Sequence, residues 1–172
     1  MEKLGIIPDV NVIVNHATRQ PLRGSSKEFI YFLEEHPKLG IITTRLENRV
    51  LKQLRRYADQ NVHYRFYELK EQLKARKVNG LQYEKMHDAV RNFIRQVGLT
   101  KFYSHTPMIG IGMEDAERLA EAACLKSEYE ILCFASLDRD FVDPEKSKAI
   151  EGRFKVKADY PINILNYVRH II

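Results

Sequence analysis

The chain has 172 residues, of which 44% are hydrophobic and 30% are charged, and its formal net charge is +5. This length and composition predict a single globular domain over residues 1–172. No apolar run reaches the roughly 18 residues of a membrane span and no signal-peptide pattern opens the chain, so we expect a cytoplasmic protein with no membrane partner. The two cysteines and six histidines lack metal-ligand spacing, which argues against a zinc site.

The predicted elements alternate between strands and helices along the chain. Short apolar runs at 4–8 and 131–135 predict buried strands, and a third strand is expected at 153–156. Helices are predicted from the capping-box pattern at Ser25, over 43–58, from about Glu114 and from Pro161. This alternation predicts an α/β fold with a central, mostly parallel sheet flanked by helices.

Residues 62–97 predict an additional pair of helices within that fold. Apolar residues recur at helical spacing up to the turn signal Asn79-Gly80 and again beyond it. We therefore expect an inserted antiparallel helical hairpin at about 62–97, followed by a loop over 98–112.

Acidic residues follow the two predicted core strands. Asp9 comes directly after the first strand, and Asp138 and Asp140 come shortly after the strand at 131–135. Ligands of parallel α/β sheets bind beyond the carboxyl ends of the strands. If the two strands are neighbours, these acids are therefore expected to meet in one crevice.

Two further acids are predicted to point inward from helices. Glu47 lies on the apolar side of its helix, and Asp115 stands four residues before Leu119 in a first helical turn. Carboxylates in such positions, without a histidine or cysteine cluster, suit a hard divalent cation such as Mg²⁺ or Mn²⁺. The candidate catalytic and metal-ligating residues are therefore Asp9, Glu47, Asp115 and Asp138.

Four patches of the sequence resemble the PIN-domain nucleases, a family that includes the toxin ribonucleases of VapC-type toxin–antitoxin pairs. The patches are DVNVIVN from Asp9, TTRLENRVLKQL around Glu47, EDAERLAEAACL around Asp115 and FASLDRDF around Asp138. The resemblance implies a PIN-like fold and a metal-dependent endoribonuclease in which these four acids form the acidic quartet.

The same resemblance implies auxiliary residues and partners. Asn11 and Ser136 match supporting polar positions, and Asp140 matches an auxiliary acid. RNA is the implied substrate, and an antitoxin protein and a second copy of the chain in a homodimer are the implied partners. Pro8 replaces the apolar residue usual before the first aspartate, and the helical segment after the second patch is longer and more basic than in compact toxin relatives.

The middle of the chain is basic. Residues 45–101 contain 14 Lys/Arg and 6 Asp/Glu, an excess that favours a polyanionic partner. On the predicted helix at 43–58, the residues expected to contact RNA phosphates are Arg49, Lys52, Arg55 and Arg56.

Two other functions fit parts of this pattern. A catalytically silent PIN-like module that binds RNA or supports an assembly would keep the acids without cleaving RNA. A HAD-type phosphohydrolase also uses an aspartate at a strand end, but it needs a second acid two positions later, where this chain has Asn11.

Overall fold

The computed structural model describes residues 1–18, 25–97 and 111–172. The strands in these segments are β1 (Glu2–Pro8), β2 (Ile41–Thr43), β3 (Lys74–Arg76), β4 (Tyr129–Ala135) and β5 (Val156–Asp159). The helices are α1 (Val10–Thr18), α2 (Ser25–Glu35), α3 (Thr44–Leu54), α4 (Gln60–Gln72), α5 (Gly80–Val97), α6 (Ile111–Leu125), α7 (Arg139–Val142), α8 (Pro144–Phe154) and α9 (Pro161–Ile171). Within these described segments, no helix is both long enough and apolar enough to cross a membrane. The predicted loop over 98–112 lies outside the described residues except for its last two positions, which belong to α6.

β4 lies at the centre of a three-stranded parallel sheet with the order β1-β4-β5. Leu4 of β1 lies opposite Ile131 of β4, and Leu132 of β4 lies opposite Val156 of β5. The sheet and its surrounding helices confirm the predicted α/β class, and the structure shows that the parallel sheet is small. They also confirm that the two strands followed by aspartates are neighbours.

A second sheet pairs β2 with β3 in parallel. A bridge between Gly40 and Ile6 joins this pair to β1, and the Ile6 amide donates to the Leu39 carbonyl at 2.8 Å. A Cβ at Gly40 would overlap the Leu73 side chain, so a larger residue there would require that side chain to move. Through the bridge, the strand order reads β3-β2-β1-β4-β5.

The hydrophobic core holds the carboxyl ends of β1 and β4 in place. Ile6 of β1, Ile13 of α1 and Leu165 of α9 are completely buried, and Phe134 of β4 is almost so. α1 packs against α3 and α4, and both α6 and α9 pack against β4. Burying each such side chain contributes roughly 1.5–3 kcal/mol to folding. The strand ends that carry the acids are therefore built on the most buried part of the molecule.

α1 is a helix that the sequence analysis did not predict. Its segment VNVIV is rich in β-branched residues, which lower helix propensity slightly because they lose side-chain freedom against the preceding turn. Val10, Ile13 and Ala17 are nonetheless buried at helical spacing. The packing of that face outweighs the local preference, and the chain turns into a helix directly after Asp9.

The prediction of an antiparallel hairpin at about 62–97 is wrong in its packing. Helices are present, but β3 separates α4 from α5 and pairs with β2. The main helical neighbour of α4 is α1, and that of α5 is α6. Glu2 of β1 also pairs with Lys74, at 2.5 Å, and with Arg76, which holds β3 beside the sheet.

Two element boundaries also differ from the prediction. The strand expected at 153–156 begins later, since β5 spans Val156–Asp159. Residues up to Phe154 belong to α8, and Lys155 caps that helix with a left-handed φ of 60°. A left-handed residue is a common way to end a helix and turn the chain. The helix expected over 43–58 is shorter, since α3 begins after its cap Thr43 and ends at Leu54.

Candidate metal centre

Asp9 is a completely buried carboxylate between the end of β1 and the start of α1. The Val10 amide donates to its Oδ1 at 2.8 Å, and the Ser136 hydroxyl donates to its Oδ2 at 2.6 Å. The Asn11 side-chain amide also approaches Oδ2, at 3.3 Å. These donors give the oxygens of Asp9 hydrogen-bond partners where burial has removed them from water.

Ser136 and Asn11 join the ends of β1 and β4. The Asp138 amide donates to Ser136 Oγ at 3.0 Å, and the Leu137 amide donates to Asn11 Oδ1 at 3.1 Å. Asp138 then accepts the Asp140 amide at 3.0 Å as the N-cap of α7. The turn after β4 is therefore fixed by side chains from the turn after β1.

Arg118 of α6 brings three distant aspartates together. Its Nη1 donates to Asp9 Oδ2 at 2.7 Å, and its Nη2 donates to Asp138 Oδ2 at 2.9 Å. Nη2 also donates to Asp115, one helical turn earlier on α6. The guanidinium carbon lies 4.8 Å from the centre of the Phe141 ring, and only 12% of the side chain is exposed. A single cation from the chain thus contacts three of the four predicted quartet members.

Three carboxylates in this region have metal-ligand spacing. Asp115, Asp138 and Asp140 each offer one oxygen, and these oxygens all lie within 4.8 Å of one another. Asp140 is buried and also pairs with Lys146 Nζ at 3.3 Å. The predicted auxiliary acid is therefore a full member of the group, which we call the aspartate cluster together with Asp9.

The aspartate cluster lies where the sheet topology favours ligand binding. Chain connections run in opposite directions on the two sides of β1, towards β2 on one side and β4 on the other. At such a switch point the connections leave a crevice beyond the carboxyl ends of the strands. Asp9 and Asp138 follow those ends, and Asp115 reaches the same place from α6.

Burial changes the acid–base behaviour of Asp115. Desolvation, together with the charges of Asp138 and Asp140, raises the pKa of Asp115 from 3.8 to about 7, although Arg118 opposes the rise. The pKa of Arg118 is itself raised, because the charges of Asp9, Asp115 and Asp138 outweigh the desolvation of the guanidinium. The acids of the cluster and Arg118 therefore shift each other's protonation equilibria, as closely spaced charges do.

Glu47 is not a member of the aspartate cluster. It lies in the first turn of α3, half-buried, and its carboxylate pairs with Lys70 of α4. The sequence analysis placed Glu47 on the apolar side of its helix, and the missing information was that α4 supplies a cation there. The structure therefore brings together Asp9, Asp115, Asp138 and Asp140, and it gives Glu47 a different partner.

The predicted RNA-contacting residues of α3 divide into two kinds. Arg49 is largely buried, and its guanidinium lies 3.3 Å from Glu117 and 3.2 Å from Glu121 of α6. The other three are exposed near the carboxyl end of α3. We call them the basic end of α3: Lys52, Arg55 and Arg56.

The sequence analysis missed two parts of this region. The first is Arg118, although an arginine three positions after Asp115 on a helix is a recognisable pair. The second is Glu121, which is buried one turn further along α6 and accepts the Thr43 hydroxyl at 2.5 Å. Burial raises the pKa of Glu121, whereas Arg49 and Thr43 lower it. This second network joins α6 to the start of α3 and so fixes the helix that carries Asp115 and Arg118.

Comparison with known proteins adds no family to this description. The chain matches no protein-family model, and no curated protein matches it. The fold and the site define an α/β protein with a small parallel sheet and a buried aspartate cluster at its switch point.

Proposed function

We propose that the chain is a divalent-metal-dependent phosphodiesterase that cleaves RNA at the aspartate cluster. The observation that carries the proposal is the convergence of Asp9, Asp115 and Asp138 on one guanidinium, from positions up to 129 residues apart in the chain. Separate elements that deliver buried carboxylates to one point are costly for stability, because each charge loses its hydration. A function that needs concentrated negative charge accounts for that cost.

The donor set fits Mg²⁺ or Mn²⁺. Asp115, Asp138 and Asp140 would hold the ion, since their oxygens are close enough to share it and carboxylate oxygens are the ligands that these ions prefer. When bound, such an ion lowers the pKa of water and stabilises negative charge on a phosphate.

The remaining residues of the site position these ligands. Ser136, Asn11 and the Val10 amide fix the Asp9 carboxylate, which also accepts a hydrogen bond from Arg118. The amide of Asp138 is held by Ser136, so the two strand ends keep one geometry. This rigidity is what a site needs in order to hold a phosphodiester in line with an attacking water.

RNA is the proposed substrate because of the basic end of α3. Its three cations are exposed at the carboxyl end of α3, a helix that packs against α1, and α1 begins directly after Asp9. Cations of this kind contact phosphates without reading sequence, so they favour a nucleic acid over a small phosphate ester. An antitoxin protein and a homodimer remain predictions from the family resemblance.

The decisive experiment is cleavage of single-stranded and structured RNA with MgCl₂ or MnCl₂, in the wild type and in Asp138→Asn. We expect the substitution to lower the cleavage rate by more than about 100-fold with folding retained, and a chelator to abolish cleavage. The matched control is Asp143→Asn, because Asp143 caps α8 through its backbone and its side chain makes no cap hydrogen bond. Cleavage that is indifferent to both the chelator and Asp138→Asn would overturn the proposal.

A catalytically silent RNA-binding module is the second candidate, and Arg118 is the observation that favours it. The chain fills the centre of the aspartate cluster with its own guanidinium, which satisfies the carboxylates without an external ion. Such a module would bind RNA equally well with chelator and with MgCl₂, and would leave the RNA intact. A HAD-type reaction is not favoured, since Asn11 makes hydrogen bonds with the turn after β4 in the place of the required second acid.

A further inference from the structure

Arg118 contacts carboxylates that a bound divalent cation would use as ligands. Its two terminal nitrogens contact Asp9, Asp115 and Asp138, so it satisfies carboxylates from β1, α6 and the turn after β4 at once. Two of these acids, Asp115 and Asp138, belong to the group with metal-ligand spacing. The guanidinium and a divalent ion would therefore compete for the carboxylates of Asp115 and Asp138.

Arg118 contributes positive charge to a group of four carboxylates. Among the described residues, it contacts Asp9, Asp115 and Asp138, while Lys146 contacts Asp140. If Arg118 leaves, these carboxylates lose one neutralising charge, which strengthens their attraction for a divalent ion.

The position of Arg118 is not fully satisfied. Its Nε is buried and, within the described part of the chain, has no hydrogen-bond partner. An unsatisfied buried donor costs roughly 1–3 kcal/mol, so the docked guanidinium is held less firmly than its three ion pairs suggest.

We infer that Arg118 is an internal competitor of the divalent ion: it holds the aspartate cluster together in the metal-free protein and must leave the carboxylates before the ion binds. The inference rests on the proposed metal centre. Only the fraction of molecules with Arg118 displaced can bind the ion. The apparent association constant for the ion is therefore the intrinsic constant multiplied by that fraction.

The test is a thermal-unfolding titration with MnCl₂ on the wild type and Arg118→Met, which keeps a long side chain without the charge. We expect Arg118→Met to unfold at a lower temperature without metal, and its stabilisation by MnCl₂ to reach half its maximum at a concentration at least ~10-fold lower than in the wild type. An unchanged or higher half-maximal concentration would overturn the inference. Arg49→Met is the matched control, since Arg49 also pairs with two carboxylates of α6 but outside the cluster, and its half-maximal concentration should equal that of the wild type.

Arg118→Lys keeps the test decisive if Arg118→Met does not fold. A lysine ammonium cannot reproduce the two-nitrogen fork that contacts Asp9 and Asp138. Its half-maximal MnCl₂ concentration should therefore also fall below that of the wild type, and an unchanged value contradicts the inference. If wild type and variants respond at the same concentration, the metal centre stands and the role of Arg118 is wrong. If none of them responds to MnCl₂, the metal centre itself is wrong.

Discussion

Replacing Asp115 with asparagine should make the stability of the protein less dependent on pH. Burial raises the pKa of Asp115 from 3.8 to about 7, so the folded protein favours the neutral acid. Stability from this group is complete below the unfolded pKa and is lost as the pH rises towards 7, where the folded carboxyl ionises. Asparagine has a similar shape and no proton to lose, so Asp115→Asn should not suffer that loss.

The size of the effect follows from the shift. A rise of about three pKa units at roughly 1.4 kcal/mol per unit gives an upper bound of about 4 kcal/mol. Of this upper bound, roughly 3 kcal/mol of stability is lost between pH 5 and pH 8, because the unfolded carboxyl is ionised there while the folded one keeps its proton up to about pH 7. In the wild type, the free energy of unfolding should therefore fall by up to that amount relative to Asp115→Asn over the same interval.

The assay is urea unfolding of both proteins at pH 5 and pH 8 with a chelator present, so that no divalent ion alters the charge of the cluster. Asp59→Asn, which removes an exposed carboxylate at the cap of α4, reports the effect of losing one negative charge outside the cluster. If the difference between wild type and Asp115→Asn is the same at the two pH values, then Arg118 keeps Asp115 ionised and the argument from burial is refuted.

Three further predictions concern the surface and the helix ends. Changing the basic end of α3 to glutamines should weaken RNA binding and reduce the slope of log affinity against log salt by about 2, measured by fluorescence anisotropy; an unchanged slope would show that RNA binds elsewhere. Lys155→Gly should raise the free energy of unfolding by about 1 kcal/mol because φ is 60° there, whereas Lys157→Gly in β5 should lower it by a similar amount. Thr43→Ala should lower it by about 2–4 kcal/mol, because α3 loses its cap and buried Glu121 loses a donor, while exposed Thr44→Ala should change it by less than about 0.5 kcal/mol. Urea unfolding measures the free energy of unfolding of all four variants. Equal effects of Lys155→Gly and Lys157→Gly, or of Thr43→Ala and Thr44→Ala, would contradict the roles assigned to Lys155 and Thr43.

The parts of the fold that could be predicted are those with a strong local signal. β1 and β4 each contain an apolar run that ends in four or more buried residues, and each is followed by an aspartate. Parallel topology then places both strand ends on one edge, so the meeting of Asp9 with Asp138 followed from local pattern and one general rule. No such signal marks β2 and β3, because three-residue strands are too short to show a period.

The parts of the site that could not be predicted depend on partners far away in the chain. Helical spacing showed which side of α3 carries Glu47, but only the packed structure shows that Lys70 meets it there. Arg118 was overlooked for a related reason. Its pairing with Asp115 is local, whereas its contact with Asp9 crosses 109 positions.

Strand pairing across most of the chain has a consequence for synthesis. Asp9 and Ser136 are 127 positions apart, and β1 finds its partner in β4 only after all the helices from α1 to α6 have been made. Contacts of such long sequence separation form late, because closing the loop between them has to precede any gain from pairing. A nascent polypeptide on the ribosome that has not yet reached Asp140 lacks the complete cluster, so translation itself delays the assembly of the centre.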